Sequence, residues 1–122
     1  MKNTVLVIED NEQNLYLVRF LLEMHGFLVQ EARDGRLGVT MASELQPDLI
    51  LLDIQLPMLD GYAVAKEIRR YPALRDTPII AVTSYAMVGD REKALASGAT
   101  DYIEKPINPS TFIDQIAKHL PL

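Results

Sequence analysis

Five short apolar runs alternate with five segments of helical periodicity along the 122 residues, and this alternation restricts the fold more than any other feature. The runs are almost continuously apolar, which is typical of parallel strands that are buried on both faces. They are Thr4–Ile8, Phe27–Glu31, Leu49–Leu52, Ile79–Val82 and Asp101–Ile103. The pattern predicts one α/β domain over residues 1–122, a flavodoxin-like, doubly wound (βα)5 fold. Its five-stranded parallel sheet has the order 2-1-3-4-5, with helices on both faces.

The helical segments are marked by apolar residues that recur every three or four positions. These residues are Leu15, Val18 and Leu22 in the first segment, Leu37, Met41 and Leu45 in the second, Val64 and Ile68 in the third, and Phe112, Ile116 and Leu120 in the fifth. Gly26 is a stop signal for the first helix, and Asn108 followed by Pro109 is a start signal for the last. The fourth segment offers Leu95 as the one large apolar residue of its helix, which predicts marginal packing.

Composition excludes several classes of function. The net charge is −5 and no cluster of Lys and Arg forms a stripe, which argues against a nucleic-acid surface. The absence of cysteine excludes disulfides and thiolate zinc sites. No apolar run approaches the length of a membrane span, and the first strand begins too early for a signal peptide. We therefore expect a cytoplasmic, single-domain protein without an output domain.

Acidic residues end two of the predicted strands. Glu9 and Asp10 end the first strand and Asp53 ends the third. In the order 2-1-3-4-5 the first and third strands are neighbours, and the strand order reverses between them. The three acids therefore meet at the carboxyl ends of these two strands, which form one edge of the sheet. Like charges at close range require a neutralising partner, and a hard cation such as Mg²⁺, with the backbone carbonyl of Gln55 as a further ligand, would suit them. The alternative is that the acids are only helix caps and solvated loop residues, and Asp10 or Asn11 could cap the first helix.

Two further groups fall at the same edge. Thr83 ends the fourth strand with a hydroxyl, and Lys105 follows the fifth with an ammonium group. If Asp53 accepted a phosphoryl group, Mg²⁺, Lys105 and Thr83 are the groups that could hold the new oxygens. A tight turn that directs Lys105 back to the site would be a reason for a cis bond before Pro106.

Other polar residues favour structural roles. Asp60 is better explained as the cap of the third helix than as a metal ligand, with Gly61 relieving the backbone. His25 and His119 lie in the last turns of their helices, and we expect surface roles for both.

With these residues, the chain resembles the receiver domain of two-component response regulators, the CheY-like fold. The resemblance covers the whole chain and is carried by "ED" at 9–10, "DIQLPMLDG" at 53–61, "TS" at 83–84 and "KP" at 105–106. The strings "DIQLP" and "TSYAMVGD" are similar to those of stand-alone DivK-type regulators.

The resemblance implies a role for each matching residue at the phosphorylation site. Asp53 would accept a phosphoryl group from a histidine kinase or a histidine phosphotransfer protein. Glu9 and Asp10 would hold Mg²⁺ together with Asp53 and the carbonyl of Gln55. Lys105 would pair with the phosphoryl oxygens.

The resemblance also implies a switch. Thr83 would turn its hydroxyl toward the phosphoryl group, and Tyr102 would change rotamer with it. The surface formed by the fourth helix, fifth strand and fifth helix would then change toward a downstream protein. Gln55 and Tyr85 would flank the pocket and tune the lifetime of the phosphoryl group. A monomer is implied, with dimerisation on phosphorylation left open.

Two other classes of function compete with this phospho-switch. One is a small Mg²⁺-dependent aspartyl phosphohydrolase, which usually has a second Asp two residues after its nucleophile. Gln55 occupies that position here, so any self-catalysed turnover should be slow. The other is an interaction module that never needs phosphorylation, for which Glu9, Asp10, Thr83 and Lys105 would have no purpose.

Overall fold

Five parallel strands form one sheet in the computed structural model, which describes residues 3–84 and 89–120. The elements in chain order are β1 (Thr4–Ile8), α1 (Glu12–Met24), β2 (Leu28–Ala32), α2 (Gly35–Leu45), β3 (Leu49–Asp53), α3 (Gly61–Arg69), β4 (Ile79–Thr83), α4 (Asp90–Ala96), β5 (Asp101–Glu104) and α5 (Pro109–Ala117). A short 3-10 turn at Pro72–Leu74 follows α3. The strand order is β2-β1-β3-β4-β5, so the predicted fold and topology are confirmed.

The sheet has an apolar core on each face, because alternate residues of a strand point to opposite sides. Val5 and Val7 of β1 belong to the core that α1 and α5 cover. Leu6 and Ile8 belong to the core that α2, α3 and α4 cover. Because helices cover both faces, polar groups can be presented by the loops at the ends of the strands.

Most observed strands extend one residue beyond their predicted ends. β3, β4 and β5 include Asp53, Thr83 and Glu104, and β2 runs from Leu28 to Ala32. The backbone ladder explains the extension: Asp53 is paired with Val82, and Thr83 with Glu104. A polar side chain ends the apolar pattern from which a strand is predicted. The strand itself continues as long as its backbone groups are hydrogen-bonded to a neighbouring strand.

The second helix buries a different face from the one that its apolar pattern marks. Leu37 and Leu45 are 44% and 45% exposed, and Met41 is only partly buried. The buried residues are Gly35, Gly38 and Ala42. A Cβ added to Gly38 would lie 2.6 Å from Cδ1 of Ile8, so α2 approaches β1 more closely than a larger side chain would permit.

Polar caps begin four of the helices at the C-terminal edge of the sheet. Asn11, Asp34, Asp60 and Asn108 each accept a hydrogen bond from a backbone N–H of the first turn. Asn11, rather than Asp10, is therefore the cap of α1, which leaves the Asp10 carboxylate available for other contacts. Within the described ranges, no helix has both the length and the apolar character needed to cross a membrane.

The fourth helix is the least anchored of the five in side-chain packing. It has seven residues, Ala94 is its buried residue, and Leu95 is partly exposed, as the sequence predicted. Its N-cap is Gly89, which has no side chain to bond the first turn. Elements with so little buried surface are those that rearrange most readily.

Candidate functional site

Three carboxylates, from Glu9, Asp10 and Asp53, meet at the C-terminal edge of the sheet. β1 and β3 lie side by side with Ile8 opposite Leu52, so the residues that follow them, Glu9 and Asp53, are neighbours. One oxygen atom from each of the three carboxylates lies within 4.8 Å of the other two. Glu9 and Asp53 are only 5% and 2% exposed, whereas Asp10 is exposed at the open side.

Lys105 places a cation between the two buried acids. Its Nζ lies 3.2 Å from Oδ1 of Asp53 and 3.3 Å from Oε1 of Glu9. The backbone N–H of Lys105 donates to the carbonyl of Thr83 over 2.8 Å, which ties the residue to the end of β4. The bond between Lys105 and Pro106 is cis. One ammonium group offsets only part of the charge of three carboxylates.

Burial and the neighbouring Asp53 raise the pKa of Glu9 to about 7. Burial is the largest cause, followed by a hydrogen bond with Asp53 and by the charge of that residue. Lys105 and the backbone N–H of Asn11 oppose the shift and lower this pKa. Without a metal ion, Glu9 therefore exchanges between its protonated and ionised forms near neutral pH.

The donor set suits a hard divalent cation. Clustered carboxylate oxygens with one side open to water are the ligands that Mg²⁺ accepts, since it retains part of its water shell. Asp10 stands at that open side of a cleft of about 460 Å³, which Asn14, Gln55 and Lys105 also line. A dication here would replace the proton on Glu9 and relieve the mutual repulsion of the acids.

Gln55 is held beside Asp53 by a residue that the sequence did not single out. The backbone N–H of Gln55 donates to Oδ1 of Asp53 over 3.0 Å. Its side-chain Oε1 accepts from the N–H and the hydroxyl of Ser84, over 2.8 and 2.7 Å. Ser84 follows Thr83 in the dipeptide "TS", and that position beside a site residue was the available signal.

The two residues expected to form the switch lie on β4 and β5. Thr83 is fully buried at the end of β4, with its Oγ1 3.5 Å from Oε1 of Gln55. Tyr102 is half-buried on β5 and packs against the core beneath α2, α3 and α4. Burial raises the pKa of Tyr102, and nearby Asp90 at the start of α4 adds to the effect. Tyr85 lies outside the described residues.

The residues expected to have structural roles lie outside the cluster of Glu9, Asp10 and Asp53. Asp60 caps α3 by accepting from the N–H of Ala63 over 2.9 Å, as expected. Gly61 is required by close approach, since an added Cβ would lie 2.7 Å from the carbonyl oxygen of Asp53. His119 Nε2 lies 2.7 Å from Oδ2 of Asp101, at the opposite edge of the sheet. This contact was not foreseen from the sequence.

Comparison with known proteins gives the same identification over nearly the whole chain. The family model of the response regulator receiver domain matches residues 5–117. The polar-differentiation response regulator DivK of Brucella anthropi is 42% identical over 120 residues, which are 98% of this chain and 98% of that protein. The DivK of Brucella ovis has the same identity and coverage.

Solved structures agree in fold. Chemotaxis protein CheY4 of Vibrio cholerae has a TM-score of 0.93 and 28% identity, covering 98% of this chain and 100% of that one. The receiver domain of sensor histidine kinase PA1611 from Pseudomonas aeruginosa, solved with magnesium in its active-site cleft, has a TM-score of 0.89. It is 36% identical, with 98% of each chain covered. The chain therefore belongs to the response regulator receiver domain family.

Proposed function

We propose that this protein is the phosphoryl-accepting switch of a two-component phosphorelay, with Asp53 as the acceptor. The observation that supports it is the convergence of Glu9, Asp10 and Asp53 within 4.8 Å, with Lys105 in contact with two of them. A buried carboxylate is costly unless it is paired and hydrogen-bonded, as Asp53 is by Lys105 and by the backbone N–H of Gln55. Phosphoryl transfer needs this combination of positioning and charge stabilisation.

The proposed reaction is a single displacement at phosphorus. A carboxylate oxygen of Asp53 attacks the phosphoryl group of a phosphohistidine, so that an O–P bond forms as the P–N bond breaks. The imidazole leaves and takes up a proton. Lys105 is placed to pair with the phosphoryl oxygens, because its Nζ already lies 3.2 Å from Asp53.

Glu9, Asp10, Asp53 and the carbonyl of Gln55 are the proposed ligands of Mg²⁺. When bound, the ion would neutralise the carboxylates and the charge that develops on the phosphoryl oxygens. The magnesium in the cleft of the PA1611 receiver supports this assignment, as does the raised pKa of Glu9 in the metal-free site.

The proposed output is a change of surface at α4, β5 and α5. Thr83 would bond a phosphoryl oxygen, and Tyr102, which packs beside α4, would change rotamer with it. Gln55 and Tyr85 would govern access of water to the acyl phosphate. Self-catalysed phosphorylation and dephosphorylation would be slow, because Gln55 cannot act as an acid or a base.

The proposed partners are a sensor histidine kinase or a histidine phosphotransfer protein, and a downstream protein target. The similarity to DivK over 98% of both chains supports a regulator that acts through contacts with other proteins. A cytoplasmic location, and a monomer that dimerises at most on phosphorylation, belong to the same proposal.

Mass spectrometry after incubation with acetyl phosphate tests the proposal. We expect one added phosphoryl group on the wild type with Mg²⁺, none with excess EDTA, and none on Asp53→Asn. Asp114→Asn is the matched control, because Asp114 is an exposed acid of α5 far from the site. Absence of a mass shift in the wild type would refute the switch.

A phosphatase assay with phosphomonoesters tests the alternative, a phosphohydrolase. Rapid multiple turnover of phosphomonoesters by the wild type would favour hydrolysis over switching. We expect turnover no faster than the decay of the phosphorylated protein, since the side chain two residues after Asp53 is an amide that is bonded to Ser84.

A further inference from the structure

One oxygen atom of the Gln55 side chain meets the polar groups at the end of β4. Its Oε1 accepts from the backbone N–H of Ser84 over 2.8 Å and from the hydroxyl of Ser84 over 2.7 Å. Oγ1 of Thr83 lies 3.5 Å from the same atom. A backbone N–H can only donate, so the Gln55 atom that it meets is the carbonyl oxygen of the amide. The two short bonds use both lone pairs of this oxygen.

The donors of Ser84 lie at the cleft that contains Asp53. Asp53 is paired with Val82 in the neighbouring strand, so Ser84 lies two residues beyond that partner in the chain. Gln55 and Ser84 line the same cleft as Asp53. A phosphoryl group on Asp53 would therefore project into the space that the Gln55 side chain and Ser84 border.

The phosphoryl group would offer Ser84 an acceptor that the unphosphorylated site lacks. It carries close to two negative charges and three acceptor oxygens. Lys105 is placed to pair with one of these oxygens and Mg²⁺ with another, which leaves a third. The N–H and the hydroxyl of Ser84 converge on a single oxygen atom, which is an arrangement that stabilises an oxyanion. In the unphosphorylated protein that oxygen is the neutral Oε1 of Gln55.

The charge of the acceptor decides which oxygen Ser84 binds. Hydrogen bonds to a charged acceptor are shorter and about twice as strong as those to a neutral one. The Gln55 oxygen therefore competes well with water but poorly with a phosphoryl oxygen. The backbone N–H of Gln55 donates to Oδ1 of Asp53 over 3.0 Å, whereas its side chain is half-buried at the open cleft. The side chain is therefore able to turn away while the loop after β3 keeps its place.

We propose that the side chain of Gln55 is an internal competitor of the phosphoryl group for the donors of Ser84. It occupies these donors in the unphosphorylated protein, and a phosphoryl oxygen on Asp53 displaces it. The inference rests on the proposed function for the phosphoryl group itself. Gln55 thus lowers the affinity of the site for a phosphoryl group, and Ser84 exchanges one acceptor for the other. A static tie between the two loops would instead keep the bond between Gln55 and Ser84 in both states.

Scalar coupling across the hydrogen bond, measured by NMR on the full chain, tests the exchange in the wild type. Beryllofluoride with Mg²⁺ serves as the phosphoryl analogue. Without ligand, we expect a coupling between the amide nitrogen of Ser84 and Cδ of Gln55. With beryllofluoride bound, this coupling should vanish while the Ser84 amide stays protected from hydrogen exchange. A coupling that persists in the bound state, or one that is absent without ligand, would overturn the competition.

Gln55→Met removes the competing oxygen and keeps the length of the side chain. A hydrogen bond within a protein is favoured over one to water by a modest net amount, so the dissociation constant of beryllofluoride at saturating Mg²⁺ should fall about three- to tenfold. Gln30→Met, at an exposed position of the edge strand β2, is the matched control and should bind like the wild type. Equal or weaker binding by Gln55→Met would contradict the competition.

Hydrogen exchange of the Ser84 amide separates the competition from a structural effect of the substitution. Without ligand this amide should exchange faster in Gln55→Met than in the wild type, and with beryllofluoride the two rates should be equal. Rates that differ in the bound state would show that the substitution disturbs the loop, which would overturn the inference. If Gln55→Met fails to fold, Gln55→Ala takes its place in both measurements.

The wild-type experiment also distinguishes this inference from the proposed function. Failure of the wild type to bind beryllofluoride would refute the proposed function and the inference with it. Binding of beryllofluoride with the coupling between Ser84 and Gln55 retained would refute the inference alone.

Discussion

The ammonium nitrogen of Lys105 lies 3.2 Å from Oδ1 of Asp53, although 52 residues separate them in the chain. The same nitrogen lies 3.3 Å from Glu9, so the lysine balances two buried acids at once. It is itself largely buried, so removing its charge would leave the two buried acids without their compensating cation. In the proposed phosphorylated state, the lysine would exchange one of these partners for a phosphoryl oxygen.

In Lys105→Ala we therefore expect phosphorylation of Asp53 to persist while the structural change that follows it is weakened. Acetyl phosphate should still modify Asp53, because the lysine does not form or break the bond to phosphorus. The change in amide chemical shifts of β5 and α4 on addition of beryllofluoride should weaken. Lys66→Ala, which removes an exposed lysine of α3, is the control. If the shift changes of β5 and α4 in Lys105→Ala were as large as in the wild type, Lys105 would have no part in coupling Asp53 to that surface.

Glu9→Gln should stabilise the metal-free protein at alkaline pH. Since the pKa of Glu9 rises from 4.5 to about 7 on folding, its contribution is fully present below about 4.5 and is lost as the pH rises through about 7. The amide does not ionise, so the advantage of the variant should reach about 1–2 kcal/mol at pH 8, after screening by water in the cleft.

Urea unfolding in EDTA at pH 5 and pH 8 measures this difference. Addition of Mg²⁺ should reverse the order at pH 8, because the ion would stabilise the wild type and find one carboxylate fewer in the variant. An advantage of Glu9→Gln that is equal at both values of pH would show that Glu9 does not titrate differently in the folded state.

Asp101→Asn should cost stability at neutral pH and nothing in strong acid. Burial raises the pKa of Asp101. Hydrogen bonds from His119 and from the N–H of Tyr102, together with the charge of Lys118, lower this pKa by more, so the net shift is downward. The stabilisation is present above 3.8 and is lost as the pH falls through the folded-state pKa. We expect a loss of about 0.5–1 kcal/mol at pH 7 by urea unfolding, with Asp114→Asn unchanged.

Gly61→Ala should disturb the site through its backbone. The added Cβ would lie 2.4 Å from Cα of Ile54 and 2.7 Å from the carbonyl oxygen of Asp53, so the loop after β3 must move. We expect a loss of about 2–4 kcal/mol in unfolding free energy and weaker binding of Mg²⁺. Gly26→Ala, where φ is +85° and no atom lies within 4 Å, measures backbone strain alone and should cost about 1 kcal/mol. Equal losses in the two variants would contradict the steric explanation.

The position of the acids could be predicted from the sequence because it depends on topology. Once the strands were ordered 2-1-3-4-5, Glu9 and Asp53 had to be neighbours, and their register shows that they are. The cap of α3 at Asp60 and the start of α5 at Asn108 were predicted for a similar reason, since caps depend on local backbone groups.

Contacts that depend on tertiary distances could not be predicted in this way. Ser84 binds the side chain of Gln55 because β3 and β4 are adjacent, and Arg69 finds its carbonyl acceptors only when two loops meet. The buried face of α2 was missed because an apolar pattern shows only where hydrophobic side chains recur. Gly38 is buried because, without a side chain, it lets α2 pack directly against Ile8.

The close approach of α2 to β1 also reverses the usual relation between hydrophobicity and tolerance to substitution. In a saturation mutagenesis of this helix, Leu37 and Leu45 should accept polar residues with little loss, since much of each side chain already faces water. Gly38 and Ala42 should accept almost nothing larger, because each added atom would push the helix from the sheet. The variability of α2 among natural relatives should then be greatest at its largest apolar residues.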